Sequence, residues 1–323
     1  EGPHGRKNRG GAMLKRIGVY LKEMYPVLPR LFLSAVLFFE IYFLVILTND
    51  KTTAIRFSMS EIAGWLTVFF FLLSLRIADE FKDFESDKKL FPERPYPSGR
   101  VKKKDLVALL AVISAAAAAL NAVFLRGNLI FFGILCVYAV LMGVWFFSSY
   151  KMQKNLLLAL LTHNPVQLFI NLYIIAFTCR KYGIEPLRFD NLMILVTLYF
   201  PGLVWEISRK IRAPGEETEY LTYSKLWGLR RAVRFVLGVM TLDMLTSSYL
   251  MFRLFPPAVA TVVGCYGWLV KKCVDFIKNP AAFRLVKKIE LYEYVTESTV
   301  IAVEAFCVLF PLAAAKAAGW WTP

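Results

Sequence analysis

The sequence is short of the side chains that build zinc sites and disulfide frameworks. Its 323 residues include only two histidines, His4 and His163, and five cysteines that form no CxxC pair. Structural zinc sites take their ligands mainly from Cys and His at short spacings, so we expect no zinc site. The cysteines lie mostly within apolar stretches, which indicates buried thiols rather than disulfides.

Charged residues are also scarce. Asp, Glu, Lys and Arg make up 20% of the chain, apolar residues make up 57%, and the mean hydropathy is +0.51. This composition excludes an ordinary soluble domain and predicts a polytopic, all-α membrane protein. Nine apolar segments are long enough to span a bilayer, near residues 31–48, 60–78, 105–125, 128–147, 155–178, 190–207, 232–254, 256–270 and 294–315.

Acidic residues are fewer than basic ones, and the net charge is +15. With a cytoplasmic N-terminus and nine spans, 30 of the 39 Lys and Arg residues fall on the cytoplasmic side. This asymmetry follows the positive-inside rule, so the charge requires no nucleic acid partner. We expect a protein of the cell inner membrane whose partner is the lipid bilayer, with the loops around Gly99 and Gly215 in the cytoplasm.

The chain is predicted to have one membrane domain preceded by a basic segment. Residues 1–24 combine a Gly, Arg and Lys rich tail with an amphipathic helix, which suits the surface of an anionic leaflet. Residues 25–323 contain all of the apolar segments and form the predicted transmembrane domain.

One stretch, residues 76–101, gathers acids at the end of an apolar run. Asp79, Asp83 and Asp87 are four residues apart, so on an α-helix their carboxylates lie on nearly one face, about 6 Å apart along the axis. Like charges at this spacing destabilise a helix unless a cation lies between them, and a divalent ion is the obvious candidate. Mg²⁺ usually takes one or two protein carboxylates plus waters and substrate phosphates. The row, followed by Arg94, therefore suggests a metal-bridged diphosphate site.

The same acids also suit a solvated helix end at a membrane surface. Lys82, Lys88 and Lys89 would then neutralise them without a metal. The loop that follows, residues 88–104, contains three prolines and Gly99 and cannot be helical throughout. Loops of this length are more often binding loops or lids than passive connectors, which favours a functional role.

The order of residues in this stretch matches a known pattern. The pattern consists of Arg76, Asp79, Glu80, Asp83 and Asp87, followed by Arg94-Pro95 and Ser98-Gly99-Arg100. It resembles the first Asp-rich motif and the following loop of the UbiA superfamily of intramembrane prenyltransferases. One position departs from the family, because the usual Asn is Asp79 here.

A second charged stretch follows the sixth apolar segment, where the family carries its second Asp-rich motif. The position matches, but the residues do not: Glu206 is followed by Arg209, Lys210 and Arg212, and acids return only at Glu216. An Arg in place of a metal-binding acid removes a ligand and adds a bidentate contact for phosphate oxygens. We expect fewer metal bonds and more guanidinium bonds here; the alternative is that these bases only anchor the helix at the membrane surface.

The resemblance implies an all-α bundle of about nine transmembrane helices, with Mg²⁺ as the cofactor. The implied catalytic residues are Asp79, Asp83, Asp87 and Arg94. The implied metal ligands are Asp79, Glu80, Asp83, Asp87, Glu206 and Glu216. The implied diphosphate ligands are Arg94, Lys151, Arg209, Lys210 and Arg212, although membrane anchoring explains Lys151 equally well.

Four further polar residues are candidates for a substrate cavity. Glu40 lies inside the first apolar segment, Asn164 and Gln167 lie in the fifth, and Tyr150 lies in the link before the fifth. Polar side chains inside a membrane normally face the bundle or a wet cavity. Hydrogen bonds or pairing between helices are an equally good explanation for Glu40, Asn164 and Gln167.

The resemblance implies Mg²⁺-dependent loss of diphosphate from an allylic prenyl diphosphate. The prenyl group would then be transferred to an acceptor such as an aromatic ring, a quinone precursor or a sugar phosphate. Two alternatives remain: a terpene cyclase that uses no acceptor, and a membrane carrier without enzymatic activity.

Overall fold

The computed structural model describes residues 3–49, 55–144, 155–217 and 221–311, with side chains from residue 11 onward. In these ranges the protein consists of helices and loops, with no strand. The helices are α1 Pro3–Met24, α2 Val27–Leu47, α3 Met59–Lys82, α4 Phe84–Leu90, α5 Lys103–Phe124, α6 Leu129–Gly143, α7 Leu156–His163, α8 Val166–Tyr182, α9 Phe189–Thr197, α10 Phe200–Ser208, α11 Tyr223–Trp227, α12 Leu229–Leu254, α13 Val259–Lys278 and α14 Leu285–Leu309.

The protein is an integral membrane protein by the length and composition of its helices. Within the described ranges, seven helical segments are long and apolar enough to cross a membrane. They correspond to α2, α3, α5, α6, α7 with α8, α9 with α10, and α12. The predicted count of nine is not reached by these criteria. The last two predicted segments fall on α13 and α14, which are long helices but carry several charged residues each.

The chain divides into two compact units. The first comprises residues 1–39 and 56–147, and the second comprises residues 40–55 and 148–323. Helix α2 therefore contributes its residues up to Phe39 to the first unit and its residues from Glu40 to the second.

In the first unit, α1 packs on α5, and α3 packs on both α5 and α6. Helix α3 begins at a capping box, in which the Ser58 backbone N–H donates to Glu61 Oε2 at 2.8 Å and the Ser60 N–H donates to Ser58 Oγ. This cap satisfies donors that the first turn leaves without intrahelical partners. The core consists of Tyr20, Tyr25, Phe69, Leu73, Ile77, Val101, Leu106 and Ile113.

In the second unit, α12 packs against α13 and α14, and α10 packs against α12 and α14. Helix α8 ends at Gly183, whose φ of 66° gives the left-handed cap that glycine adopts without strain. The core that joins these helices includes Val204, Ile207, Tyr223, Val233, Val236, Met240, Leu269, Phe276, Ile289 and Tyr292.

The closest approach of α2 to α3 in the first unit depends on Gly64. A Cβ atom at Gly64 would lie 2.6 Å from the Phe38 ring, whereas a Cβ at Gly133 on α6 would meet nothing within 4 Å. Phe38 is fully buried, so its ring has little room to move aside. The absence of a side chain at residue 64 therefore permits this packing.

We predict that Gly64→Val destabilises the protein by about 1–3 kcal/mol, because an overpacked core forces side chains and backbone apart. The control is Gly133→Val, which makes the same change in an exposed part of a helix. Thermal unfolding in detergent by scanning fluorimetry should show a lower midpoint for Gly64→Val alone. Equal midpoints for the two variants would contradict the assigned contact.

Candidate functional site

The Asp row lies at the junction of α3 and α4. Helix α3 ends at Lys82, Asp83 adopts a non-helical backbone, and α4 starts at Phe84. The prediction of one uninterrupted helical face is therefore wrong in detail, since the chain bends at Asp83. Two backbone hydrogen bonds still bridge the bend: Asp83 N–H donates to Asp79 C=O at 2.9 Å, and Asp87 N–H donates to Asp83 C=O at 2.8 Å.

Most of the acids in this row are paired with a cation. Lys82 Nζ lies 2.7 Å from Asp79 Oδ1, and Arg94 Nη1 donates to Asp87 Oδ2 at 2.8 Å. The buried carboxylate of Glu80 accepts from Arg76 Nη2 at 2.5 Å. If these acids only form a solvated helix end, Lys82 is expected to neutralise them. Its contact with Asp79 agrees with that alternative.

Asp83 differs from its neighbours. It is partly buried and has no ion pair or side-chain hydrogen bond with another described residue. Burial raises the pKa of Asp83, and the nearby Asp79 and Asp87 raise it further, while Lys82 and Arg76 act in the opposite direction. An added cation would therefore stabilise the charged form of Asp83 more than that of the neighbouring carboxylates, which already have cationic partners.

The loop of residues 91–102 has a defined conformation. The Arg94 guanidinium stacks over the Phe91 ring, 3.8 Å from its centroid, while it pairs with Asp87. Gly99 has a φ of 78°, which other residues rarely adopt. The Arg100 guanidinium donates to Glu93 C=O at 2.7 Å, next to Arg94. The loop is non-helical, as the sequence predicted, and it brings Arg94 to Asp87.

An apolar groove of about 470 Å³ lies in the first unit, and its lining on α3 ends at Ala78, the residue before Asp79. On α3 it is lined by Phe71, Ser74, Leu75 and Ala78. Phe71 and Leu75 occupy the same four-residue row of α3 that continues to Asp79, so the groove leads towards the acids. Residues of α5 and α6 form the other walls, namely Leu110, Ser114, Ala117, Phe132, Cys136, Ala139, Val140 and Gly143, with Val144 beyond α6.

This groove was not predicted from the sequence. The available signal was the small side chains at Ser74, Ala78, Ser114 and Ala139, which leave space between helices. Small residues are common in membrane helix interfaces of every kind, so they do not distinguish an open groove from close packing.

The second charged stretch lies in the second unit, after α10. Glu206 pairs with Arg209 at 2.5 Å and with Lys210 at 2.7 Å, and the Arg209 guanidinium lies 4.8 Å from the Trp205 ring centroid. The predicted metal ligand Glu206 and two predicted diphosphate ligands are therefore bound to one another. These pairs would have to open before any of the three residues could bind a ligand.

A polar pocket of about 580 Å³ adjoins this stretch within the second unit. Its lining includes Arg209, Arg212 and Arg284 together with Glu216 and Glu217. Arg284 Nε donates to Glu216 Oε1 at 3.2 Å, so this predicted metal ligand is also paired with a cation. Glu217 accepts from the hydroxyls of Thr222, the N-cap of α11, and Ser224, within α11. Arg284 precedes α14 and is distant in sequence from the other arginines, so the motif could not have revealed it.

The predicted cavity residues are not brought together as one group in either unit. Tyr150 and Lys151 lie outside the described residues. Helix α7 ends at His163, before Asn164, and α8 begins at Val166, so Asn164 and Gln167 do not belong to one uninterrupted helix. Gln167 Nε2 donates to Asn171 Oδ1 at 2.8 Å, which is a pairing within α8.

Glu40 belongs to a group of buried carboxyls in the second unit. Its carboxyl is buried, and the carboxyls of Glu297 and Glu304 on α14 are its electrostatic neighbours. Asp243 also lies near Glu297 and accepts from the Tyr292 hydroxyl at 3.1 Å. Both expectations for Glu40, a cavity residue or pairing with a neighbouring helix, stay predictions.

In the ranges that the structure describes, no group of three or more His, Cys, Asp or Glu side chains is arranged to hold a metal ion. The predicted metal ligands lie in two places: Asp79, Glu80, Asp83 and Asp87 in the first unit, and Glu206 and Glu216 in the second. Those at the end of α3 are each paired with a base, apart from Asp83.

The sequence matches no family model and no curated protein. The backbone is similar to that of a solved structure of digeranylgeranylglyceryl phosphate synthase in membranes, with a TM-score of 0.65 over 90% of this chain and 98% of the other. The two sequences are 14% identical, so the similarity establishes a shared fold. Because that synthase is of the UbiA type, the UbiA-like all-α fold expected from the Asp row is confirmed.

Three arginines around one pocket predict affinity for a phosphate-bearing anion in the second unit. We expect Arg209→Gln or Arg212→Gln to weaken binding of inorganic pyrophosphate by about 1.5–3 kcal/mol, the scale of a hydrogen bond to a charged group. The matched control is Arg230→Gln, an exposed residue of α12. Calorimetry on the purified protein measures the affinities. Wild-type affinity in both pocket variants would leave these arginines with a membrane-anchoring role only.

Proposed function

We propose that the protein is a Mg²⁺-dependent intramembrane prenyltransferase that acts on an allylic prenyl diphosphate. The observation that carries this proposal is the arrangement of the first unit. Paired acids and Arg94 lie at the end of α3, and an apolar groove starts one helical position away, at Ala78. A charged end joined to an apolar groove suits a ligand with a diphosphate head and a hydrocarbon tail. The shared fold with a membrane prenyltransferase supports the same function.

The residues at the end of α3 fit a Mg²⁺ ion by their chemistry. Mg²⁺ needs only one or two protein carboxylates when waters and phosphate oxygens complete its shell, so a preformed group of three is not required. Asp83 is the first candidate because it lacks a cationic partner, and Asp79 and Asp87 are the next candidates. When bound, the ion would neutralise charge on the diphosphate oxygens.

The protein's own residues would assist departure of the leaving group. Heterolysis breaks the bond between the allylic carbon and oxygen, and the electron pair leaves with the diphosphate. Arg94 can donate two parallel hydrogen bonds to phosphate oxygens once it releases Asp87, which stabilises the growing negative charge. The groove walls are almost entirely apolar and would exclude water from the allylic cation until an acceptor reacts with it. The acceptor then forms a bond to the allylic carbon and loses a proton.

The acids provide the first test. We predict that Asp83→Asn and Asp87→Asn fold and insert normally but lose most prenyl diphosphate turnover and most Mg²⁺-dependent diphosphate binding, because the lost charge neutralisation is worth several kcal/mol in the transition state. The control is Glu85→Gln. It also removes one negative charge, but from an exposed residue of α4 that does not belong to the Asp row. Activity and Mg²⁺ dependence that survive both Asp changes would refute the proposed enzyme activity.

The groove provides an independent test. Ala78→Phe should fill the groove near its charged end and lower turnover of long prenyl diphosphates more than that of short ones. Ala115→Phe, on an exposed face of α5, adds the same ring outside the groove. Turnover with substrates of three chain lengths, followed by mass spectrometry, measures the effect. The same loss at every length, or no loss, would mean that the tail lies elsewhere.

The products separate transfer from the two alternatives. The purified protein is incubated with Mg²⁺ and an allylic diphosphate, with and without a lipid extract. Release of pyrophosphate only with the extract, together with a prenylated product, supports transfer. A hydrocarbon or terpene alcohol formed without the extract would instead support cyclisation, and absence of pyrophosphate release would support a carrier.

A further inference from the structure

Helix α1 lies against the Arg94 loop and the start of α5 in the first unit. Arg16, Tyr20 and Glu23 are spaced at i, i+4 and i+7 and share one face of α1. Arg16 makes a two-bond ion pair with Asp105, at 2.6 and 2.8 Å. Glu23 makes a second two-bond pair with Arg100, also at 2.6 and 2.8 Å. Two-bond pairs between a guanidinium and a carboxylate fix the orientation of the two groups as well as the distance between them. The residue of α1 that lies between Arg16 and Glu23 is therefore held in place.

That residue is Tyr20, which is fully buried. Its hydroxyl has no hydrogen-bond partner in the part of the chain that the structure describes. Its electrostatic neighbours are Glu80, Arg76 and Asp79 at the end of α3. Burial raises the pKa of Tyr20, and the proximity of Glu80 raises it further, so the hydroxyl keeps its proton and remains a donor.

The neighbouring carboxylates do not accept a hydrogen bond from this donor. Glu80 is bonded to Arg76, and Asp79 is bonded to Lys82. Tyr25, in the same core, shows the usual outcome for a buried phenol, since its hydroxyl donates to Phe69 C=O at 3.4 Å. A buried donor without a partner destabilises a fold, so Tyr20 is a group for which a bound ligand would supply the missing acceptor.

We propose that Tyr20 is a ligand-binding residue of the first unit and that its hydroxyl donates a hydrogen bond to a phosphate oxygen of the bound diphosphate, directly or through a water molecule. This inference rests on the proposed function. It gives α1 a role beyond contact with the membrane surface, because two ion pairs hold α1 where it presents Tyr20 to the acids.

The test compares two tyrosines that differ in their partners. Tyr20→Phe removes only the unpaired hydroxyl, and Tyr25→Phe removes the one that already has a protein acceptor. Inorganic pyrophosphate is titrated into each full-length variant in lipid nanodiscs, with and without Mg²⁺, and thermal stability is measured in parallel. Tyr20→Phe should bind pyrophosphate roughly tenfold more weakly at unchanged or higher stability, whereas Tyr25→Phe should bind normally.

The outcomes separate this inference from the proposed function. Weaker binding by Tyr20→Phe only when Mg²⁺ is present supports a hydrogen bond through metal-bound water, and weaker binding in both conditions supports a direct one. Wild-type affinity in Tyr20→Phe, together with loss of binding in Asp87→Asn, would overturn the role of Tyr20 and leave the proposed function intact. Wild-type affinity in both variants would overturn both.

Discussion

Compensation of carboxylate charge at the end of α3 is the constraint on which the first unit depends. Asp79, Glu80, Asp83 and Asp87 lie within nine residues there, together with the exposed Glu85, and their mutual repulsion would destabilise the helix end without counter-charges. Lys82, Arg76 and Arg94 supply those charges to three of them. The loop has to fold back for Arg94 to reach Asp87, so the ion pair and the loop conformation stabilise each other. Asp83 is left as the carboxylate that an added cation would compensate.

The second unit meets the same constraint in two ways. At the charged stretch after α10, Glu206 is shared by Arg209 and Lys210, so its charge is compensated by bases about one helical turn away. Among the buried helices, Glu40 instead lies near the carboxyls of Glu297 and Glu304, with no ion pair to a described base. Buried carboxyls that lack a basic partner are stable in an apolar medium when they are protonated.

The sequence predicted the features that depend on local spacing or composition. Membrane helices follow from apolar runs, and the cluster of acids with Arg94 follows from their order near the end of one run. The bend at Asp83, the groove beside Ala78 and the place of Arg284 in the second pocket could not be predicted, because each depends on packing between segments distant in sequence. Tyr20 was missed for the same reason: α1 looks like a membrane-surface helix until its ion pairs with Asp105 and Arg100 are known.

The central claim is that the end of α3 binds the diphosphate head and the adjoining groove binds the tail. The most direct measurement is an electron cryomicroscopy structure of the protein in nanodiscs with Mg²⁺ and a prenyl thiodiphosphate, which resists cleavage. The account predicts ligand density that begins beside Asp83 and Arg94 and continues along Leu75 and Phe71, with the bond from Arg94 to Asp87 opened. Diphosphate density elsewhere, with that bond intact and the groove occupied by lipid, would contradict it.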